Sequence, residues 1–336
     1  MNNAGAASAA SLSRFWPRLD LAGILALALV LRGWRLGASG FITPYYMAGV
    51  RSMTVSWHNF FFNSFDPTGF VSLDKPPLAF WAQTLSAELF GFSPFSVLLP
   101  QVLEGLAAIL VLYHLVRRVF GTAAGLLAAL FLAFTPIAVA VDRSNNTDTC
   151  LVLTLLLAAW ALSRAIETGR PRLLMLSAAL VGIGFNVKML VAFGVVPVFM
   201  LLYLTGAPIS LRQRIGHLVA AGVVLAITSL SWTVVYELTP PQNRPFVDST
   251  RSNSMLELVV GHNGIQRFVR RVHNFPGAPS VDTPASAATA SLGGAPDRPA
   301  APGAGLPPAV TMRRLDRCAS PHRIWRRRWG GYSRWR

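Results

Sequence analysis

The sequence predicts an all-α polytopic membrane protein of about seven transmembrane helices. Three observations carry that prediction. Of the 336 residues, 53% are hydrophobic and 13% charged, where a soluble domain carries about 25% charged residues. The mean hydropathy is +0.46. The apolar residues also gather in blocks about as long as a bilayer is thick rather than spreading evenly.

Seven spans follow in order, near Trp16–Trp34, Phe95–Leu115, Thr122–Val141, Thr149–Ala165, Leu173–Phe185, Met189–Thr205 and Ile215–Tyr236. The first has Arg14 and Arg18 ahead of Leu21–Leu31, as a signal peptide would. Arg32 and Arg35 follow it directly and no small-residue cleavage site is convincing, so it reads as an uncleaved helix. The fifth and sixth are separated only by Asn186–Lys188 and could fuse into one bent helix.

Orientation follows from the arginines, which concentrate in short cytoplasmic loops. With the N-terminus inside, Arg14 and Arg18, Arg117–Arg118, the Arg164/Arg170/Arg172 loop and Arg212/Arg214 all lie inside. Flipping the chain would break each of these loops together. Arg32, Arg35 and Arg51 stand as exceptions near the outer surface. Asp66, Asp74, Asp142, Asp148, Glu237, Asp248 and Glu257 then face outward, while Asp20 and Glu167 face inward and Glu104 lies within a span. The chain's two lysines, Lys75 and Lys188, against 28 arginines, fall at outer helix–loop junctions. Carboxylates and lysines gathered at one surface suit a reaction site. A carrier would instead place ionisable groups near the midplane of several spans.

The net charge of +16 is no nucleic-acid signature. Residues 267–336 hold thirteen Arg and three Asp, so most of the excess sits in the tail and no nucleic-acid partner is expected. The two cysteines, Cys150 and Cys318, give neither a disulfide framework nor a metal set.

The first outer loop, Gly37–Pro94, is the most informative stretch. Thr43–Met53 reads as a short amphipathic helix. Ser56–Pro67 is too aromatic for a solvated loop and suits the bilayer interface. In Val71-Ser-Leu-Asp-Lys-Pro-Pro-Leu78, Asp74 precedes a proline pair, which suits a helix start and an N-cap. The adjacent Lys75 is equally placed to hold a lipid-linked phosphate. In the second loop Thr147 and Asp148 can cap the following helix, while Arg143 offers a planar fork for phosphate. In the third, Lys188 stands between two short apolar runs: a broken helix of the kind that marks substrate sites, or a snorkelling lysine.

Taken in order, Tyr45-Tyr46, Ser56-Trp-His-Asn-Phe-Phe61, Asp74-Lys-Pro-Pro-Leu78, Arg143–Asp148, Phe185-Asn-Val-Lys188, Arg244-Pro-Phe-Val247 and Asn253-Ser254 resemble bacterial relatives of the protein O-mannosyltransferases and the lipid A aminoarabinose transferase, glycosyltransferase family 39. The resemblance covers Tyr45–Phe268 and implies a GT-C fold. It further implies sugar transfer from a polyprenyl-phosphate donor on the extracytoplasmic face of a bacterial plasma membrane. The acceptor would be a lipid, glycan or protein hydroxyl, and a divalent cation such as Mg²⁺ or Mn²⁺ often takes part. On this basis Lys75, Arg143 and Lys188 bind donor phosphate, and Tyr45, Tyr46, His58 and Asn186 line the pocket. Family members often carry an acidic pair just before the first-loop tyrosine as candidate base; here Thr43-Pro44 stands there. The base role therefore falls to Asp74, which could also contact a metal, with Asp148 second and Asp66 third.

After Phe268 the composition changes. Val281–Val310 is rich in Ala, Pro, Gly and Ser, and Met312–Arg336 in Arg and Trp, so residues 269–336 form a disordered tail beside the membrane domain 1–268. A shifted reading of a GC-rich gene overproduces these residue types, and the favoured expectation is a truncated or out-of-frame member of the family. On that expectation a catalytically inactive remnant stands as an alternative to an active transferase.

Overall fold

The computed structural model describes residues 20–38 and 43–265; the expectations about the tail lie outside them. The described part of α1 covers 20–33. Then follow α2 (Pro44–Met53), α3 (Trp57–Phe62), α4 (Leu78–Phe90), α5 (Pro94–Phe134), α6 (Pro136–Asp142), α7 (Asp148–Thr168), α8 (Pro171–Lys188), α9 (Val196–Gly206) and α10 (Leu211–Leu238). Among the described residues the pairing of extended chain is limited to isolated bridges, Ser64 with Ser72 and Val71 with Phe246. The fold class read from the sequence is therefore the one observed.

Among the described residues, four helical runs are long and apolar enough to cross a membrane: Pro94–Phe134, Asp148–Thr168, Pro171–Gly206 and Leu211–Leu238. Two of them fold back on themselves. Gly121 breaks α5 with φ 86° and ψ 175°. A Cβ on Gly125 would lie 3.0 Å from the Tyr113 carbonyl, although twelve residues of straight helix span about 18 Å. The halves therefore form an antiparallel hairpin, sealed by Ile109, Tyr113, Ala129 and Ala133 against Ala28 of α1. Likewise α8 stops at Met189, where φ is 49° and ψ −134°. A 3₁₀ turn, Met189–Val195, follows, and α9 returns so that Tyr203 and Ala207 share a buried cluster with Leu174 of α8. The fifth and sixth predicted segments are thus separate antiparallel helices, and Asn186–Lys188, expected as a break, is the last helical turn before it.

Local chemistry sets the ends. Ser93 and Ser210 open α5 and α10 with reciprocal capping boxes to Ser96 and Gln213, each satisfying N–H groups that have no helical partner. Gly169 closes α7 in the left-handed region, where a glycine carries no Cβ penalty.

The hairpins sort the charges. At one end Arg118 and Arg164 both pair with Glu167, and Gly169 lies against Ile209, so the turns holding Arg170, Arg172, Arg212 and Arg214 share that end. At the other, Asn145 donates to the Thr43 carbonyl and Val187 and Met189 share a buried cluster with Ala79, so the turns that carry Asp142, Asp148 and Lys188 lie at the end of the first loop.

That loop is built rather than draped. Asn59 N–H donates to the Ser56 hydroxyl at 3.1 Å to cap α3. The carbonyls of Phe60 and Phe61 accept from the indoles of Trp81 (2.7 Å) and Trp232 (3.0 Å), fastening α3 to α4 and α10. Ser72 N–H donates to the Phe246 carbonyl at 2.9 Å, and Phe246 N–H to the Phe70 carbonyl at 2.7 Å, which ties the loop after α10 to the loop before α4.

A buried ion pair fixes α1. Arg32 has no exposed surface; its Nε donates to Asp142 Oδ2 at 2.6 Å and its Nη1 to the Ala133 carbonyl at 2.9 Å. Thr149 completes Asp142 through Oδ1 at 2.7 Å. Paired and hydrogen-bonded in this way, two charges can stay in a low-dielectric interior.

Candidate active site

Asp74 and Lys75 sit in the turn ahead of α4. The helix begins at Leu78 behind Pro77, so Asp74 is not its N-cap; the two prolines instead hold the turn away from the helix. Asp74 is gripped on both sides of its backbone. Its N–H donates to the Tyr45 hydroxyl at 3.1 Å, and its carbonyl accepts from Asn263 Nδ2 at 3.2 Å. The Asn63 side chain holds the next carbonyl, that of Lys75, at 2.8 Å. Lys75 is buried, with 7% of its surface exposed, and its ammonium pairs with Asp74 Oδ2. The other oxygen, Asp74 Oδ1, is buried and accepts no hydrogen bond from the described residues.

Tyr45 links this pair to a further acid. Its hydroxyl donates to Asp248 Oδ2 at 2.6 Å. Burial, the bond to Asp248 and the nearby Asp74 charge push the phenol well above its ordinary range, so it stays protonated and keeps both contacts. Tyr45 stacks on Phe65 with centroids 5.0 Å apart, and Tyr46 packs on Phe80 at the same distance. Both predicted pocket tyrosines thus anchor α2 beside Asp74.

Asp148 and Lys188, predicted separately, form a second ion pair close by. Lys188 Nζ, at the end of α8, pairs with Asp148 at the start of α7. Asn263 Nδ2, which holds Asp74, is also 3.1 Å from the Met189 sulfur, so one side chain joins the two centres. Asn186 hangs from the carbonyls of Gly182 (3.0 Å) and Thr228 (2.8 Å). It lines a largely apolar groove of about 290 Å³ with Pro77, Leu78, Trp81, Thr228 and Trp232. The groove opens beside the turn that carries Lys75.

Three predicted residues do not join this group. Arg143 Nη1 donates to the carbonyls of Leu31, Arg32 and Trp34 at 2.9–3.0 Å, closing the C-terminus of α1. His58 Nε2 lies 3.1 Å from the Asn243 carbonyl and braces the loop after α10. Asp66 closes its own turn, accepting from the N–H groups of Thr68 (3.0 Å), Phe70 (3.0 Å) and Val71 (2.9 Å) and from the Thr68 hydroxyl. Burial alone would raise its carboxyl, but the Thr68 hydroxyl and these amides outweigh it and hold it below the usual carboxylate range.

Asp248, His262 and Asn263 are not among the site residues that the sequence offers. The motif Arg244–Val247 with Asn253, which the sequence offers only as part of the family resemblance, has a structural role. Arg244 donates to the Thr239 carbonyl at 3.0 Å and to the Asn253 carbonyl at 3.0 Å, and lies 4.9 Å over the Tyr236 ring. This brace positions Asp248. As for a metal, no group of three or more His, Cys, Asp or Glu among the described residues could hold one. Asp74 offers a single carboxylate that already pairs with Lys75, so the described residues do not fit a divalent cation.

Residues 74–232 match the family described as dolichyl-phosphate-mannose-protein mannosyltransferase. Two Bacillus subtilis proteins are similar: the one named "Putative mannosyltransferase YycA", 45% identical over 75% of this chain and 37% of its own length, and the one named "Putative mannosyltransferase YkcB", 44% identical over 77% and 36%. The chain therefore spans little more than a third of either relative. Among solved structures, apo ArnT from Cupriavidus metallidurans matches in fold with a TM-score of 0.51, 21% identity, and coverage of 75% of this chain and 49% of that one. The motif order, the helical architecture and these matches agree: the chain belongs to glycosyltransferase family 39, the dolichyl-phosphate-mannose-protein mannosyltransferase-like membrane proteins of GT-C fold.

Proposed function

We propose that this chain transfers a sugar from a polyprenyl-phosphate donor to a hydroxyl of an extracytoplasmic lipid, glycan or protein, in a bacterial plasma membrane with its N-terminus in the cytoplasm. The observation that carries this reading is the Asp74–Lys75 pair, its lysine buried and its backbone clamped by Tyr45 and Asn263, two residues from the Pro77 edge of an apolar groove. A polyprenyl chain needs an apolar channel, and its phosphate needs a fixed cation at the channel's head.

In this reading Lys75 binds the phosphate, with Lys188 as the second cation. The acceptor oxygen attacks the anomeric carbon while the bond from that carbon to the phosphate oxygen breaks. The electron pair of that bond stays on the departing polyprenyl phosphate, where the lysines neutralise the added negative charge. The acceptor proton passes to a carboxylate at the site. Asp74 is the first choice because its Oδ1 is buried without a hydrogen bond; Asp148 is the second.

The test is turnover of a polyprenyl-phosphate sugar in membranes carrying the chain. Unaltered membranes should consume the donor, and Lys75→Ala should lose at least ~100-fold, since one charge-stabilising group is commonly worth that much. No donor consumption above empty membranes would reject the reading.

A further inference from the structure

At the helix ends away from Asp148 and Lys188, the arginines divide into two sets. Arg118 and Arg164 pair with Glu167. Arg170 and Arg172 at the start of α8, and Arg212 and Arg214 at the start of α10, pair with no carboxylate among the described residues. The two helix starts are neighbours. A Cβ on Gly169 would lie 3.0 Å from Ile209 Cγ2, and Arg214 Nε donates to the Ile209 carbonyl at 2.9 Å. Arg214 Nη1 donates to the Leu204 carbonyl near the end of α9, so the guanidinium is held in place while Nη2 stays uncommitted among the described residues. A planar fork fixed in this way is prepared for a phosphate oxygen.

Beneath this basic rim lies an apolar groove of about 150 Å³ between α7, α8, α9 and α10, bordered by Leu174, Val181, Phe199, Met200, Leu218 and Gly222. Helix period ties the groove to the arginines. Arg214, Leu218, Ala221, Gly222 and Leu225 recur at i, i+4, i+7, i+8 and i+11, which is one face of α10. On α8 the groove runs from Leu174 to Val181, about 10 Å of helix, and it begins one turn after Pro171. Its length therefore fits within one leaflet, whose hydrocarbon is about 15 Å thick. The groove is open at its α10 wall, where a Cβ on Gly222 would meet nothing within 4 Å.

Charge and shape together select the occupant. An uncharged chain would leave the guanidiniums without an anion, and a soluble phosphate would leave the groove unfilled. A bilayer phospholipid with an anionic headgroup has both parts, and basic pockets between membrane helices bind such headgroups. We propose that this corner is a site for one anionic phospholipid, its phosphate at Arg170, Arg172, Arg212 and Arg214 and one acyl chain in the groove. The site lies apart from the Asp74–Lys75 centre, and the inference does not rest on the donor reading. A lipid placed there touches four helices and ties the α8–α9 hairpin to α10 at the end that the first loop does not reach.

The experiment titrates the full chain, purified in a neutral detergent, with phosphatidylglycerol and with phosphatidylcholine of the same chains, and counts bound lipid by native mass spectrometry. The unaltered chain should hold phosphatidylglycerol at least ~25-fold more tightly than phosphatidylcholine. A basic residue near such a headgroup is worth about fivefold. Arg170→Gln with Arg172→Gln should therefore weaken phosphatidylglycerol ~25-fold and leave phosphatidylcholine unchanged. Gly222→Leu fills the groove while every arginine stays, and should weaken phosphatidylglycerol ~10-fold, the loss of a few buried methylenes. Added sn-glycerol 3-phosphate, a headgroup without chains, should displace nothing. Thermal unfolding of each lipid-free variant keeps loss of fold apart from loss of binding; should the α8 variant melt early, Arg212→Gln on the other helix start carries the same test at ~5-fold. Equal binding of the two lipids would overturn the site. A loss in the arginine variant with none in Gly222→Leu would mean surface attraction without the groove, and a loss in Gly222→Leu alone would mean a chain held without its headgroup; either overturns the proposal. Displacement by glycerol phosphate would show a site for small phosphates and overturn it too.

Discussion

Asp74 shows how much of a site can depend on contacts that sequence spacing hides. Its N–H is held by a tyrosine 29 positions away and its carbonyl by an asparagine 189 positions away; the tyrosine is itself tied to an acid 203 positions on. Removing the Tyr45 hydroxyl breaks two of these links at once. Tyr45→Phe should therefore lower donor turnover ~10- to 100-fold, as a hydrogen bond to a charged group is worth about 1.5–3 kcal/mol. Unchanged turnover in Tyr45→Phe would show that the packing of the ring, not the hydroxyl, matters. Asp66 makes the opposite case. Its depressed carboxyl pKa means that its contribution to stability is present above the unfolded value near ~3.9 and is lost as pH falls through the folded one. Asp66→Asn should accordingly loosen the 66–71 turn at neutral pH, read as faster amide exchange at Phe70 and Val71, and should leave the Asp74 contacts alone. Arg143 marks a limit of residue-level reading. A planar guanidinium near two acids suits phosphate, yet the α1 carbonyls that it meets lie more than a hundred residues earlier, and nothing local announces them.

The helices were the legible part, for a physical reason. Apolar block length and turn chemistry are local properties, so Gly121, Gly169, Ser93 and Ser210 mark ends that the sequence alone can place. The Asn186–Lys188 region was harder. The sequence reads a break at Asn186–Lys188, whereas the chain turns only at Met189, and that position depends on how α8 packs on α10. Gly182 has room for no Cβ there, since one would lie 1.9 Å from the Thr228 hydroxyl and 3.1 Å from Ser229 N. The Arg32–Asp142 pair belongs at this scale as well, because it joins α1 to α6 and, through Thr149, to α7. Arg32→Met alone strands a buried carboxylate and should cost about 3–5 kcal/mol. Arg32→Met with Asp142→Leu removes both charges and should recover most of that loss, measured as the unfolding temperature in one detergent. A double variant as unstable as the single one would locate the cost in side-chain packing rather than in the orphaned charge.

At the scale of the whole molecule, charge and fold point the same way. The helices carry Arg118, Arg164 and Glu167 to one end and Asp148 and Lys188 to the other, where Asn263 links Met189 to Asp74 beside Lys75. Nothing in helix packing alone requires this division, because either end would seal the apolar clusters equally well. The proposed orientation would supply a reason: short arginine-rich turns favour the cytoplasm, which would leave the acidic end facing outward, where a donor displayed by its phosphate could be met. The orientation is open to direct measurement. With Cys150 and Cys318 replaced by Ser, single cysteines at Thr68 and at Thr168 report opposite ends. Thr68→Cys should react with a membrane-impermeant maleimide in intact cells, and Thr168→Cys only after the membrane is opened. Labelling of Thr168→Cys in intact cells, with Thr68→Cys protected, would invert the molecule. The Asp74–Lys75 site would then face the cytoplasm, and the case for an extracytoplasmic acceptor would fall even if donor turnover were observed.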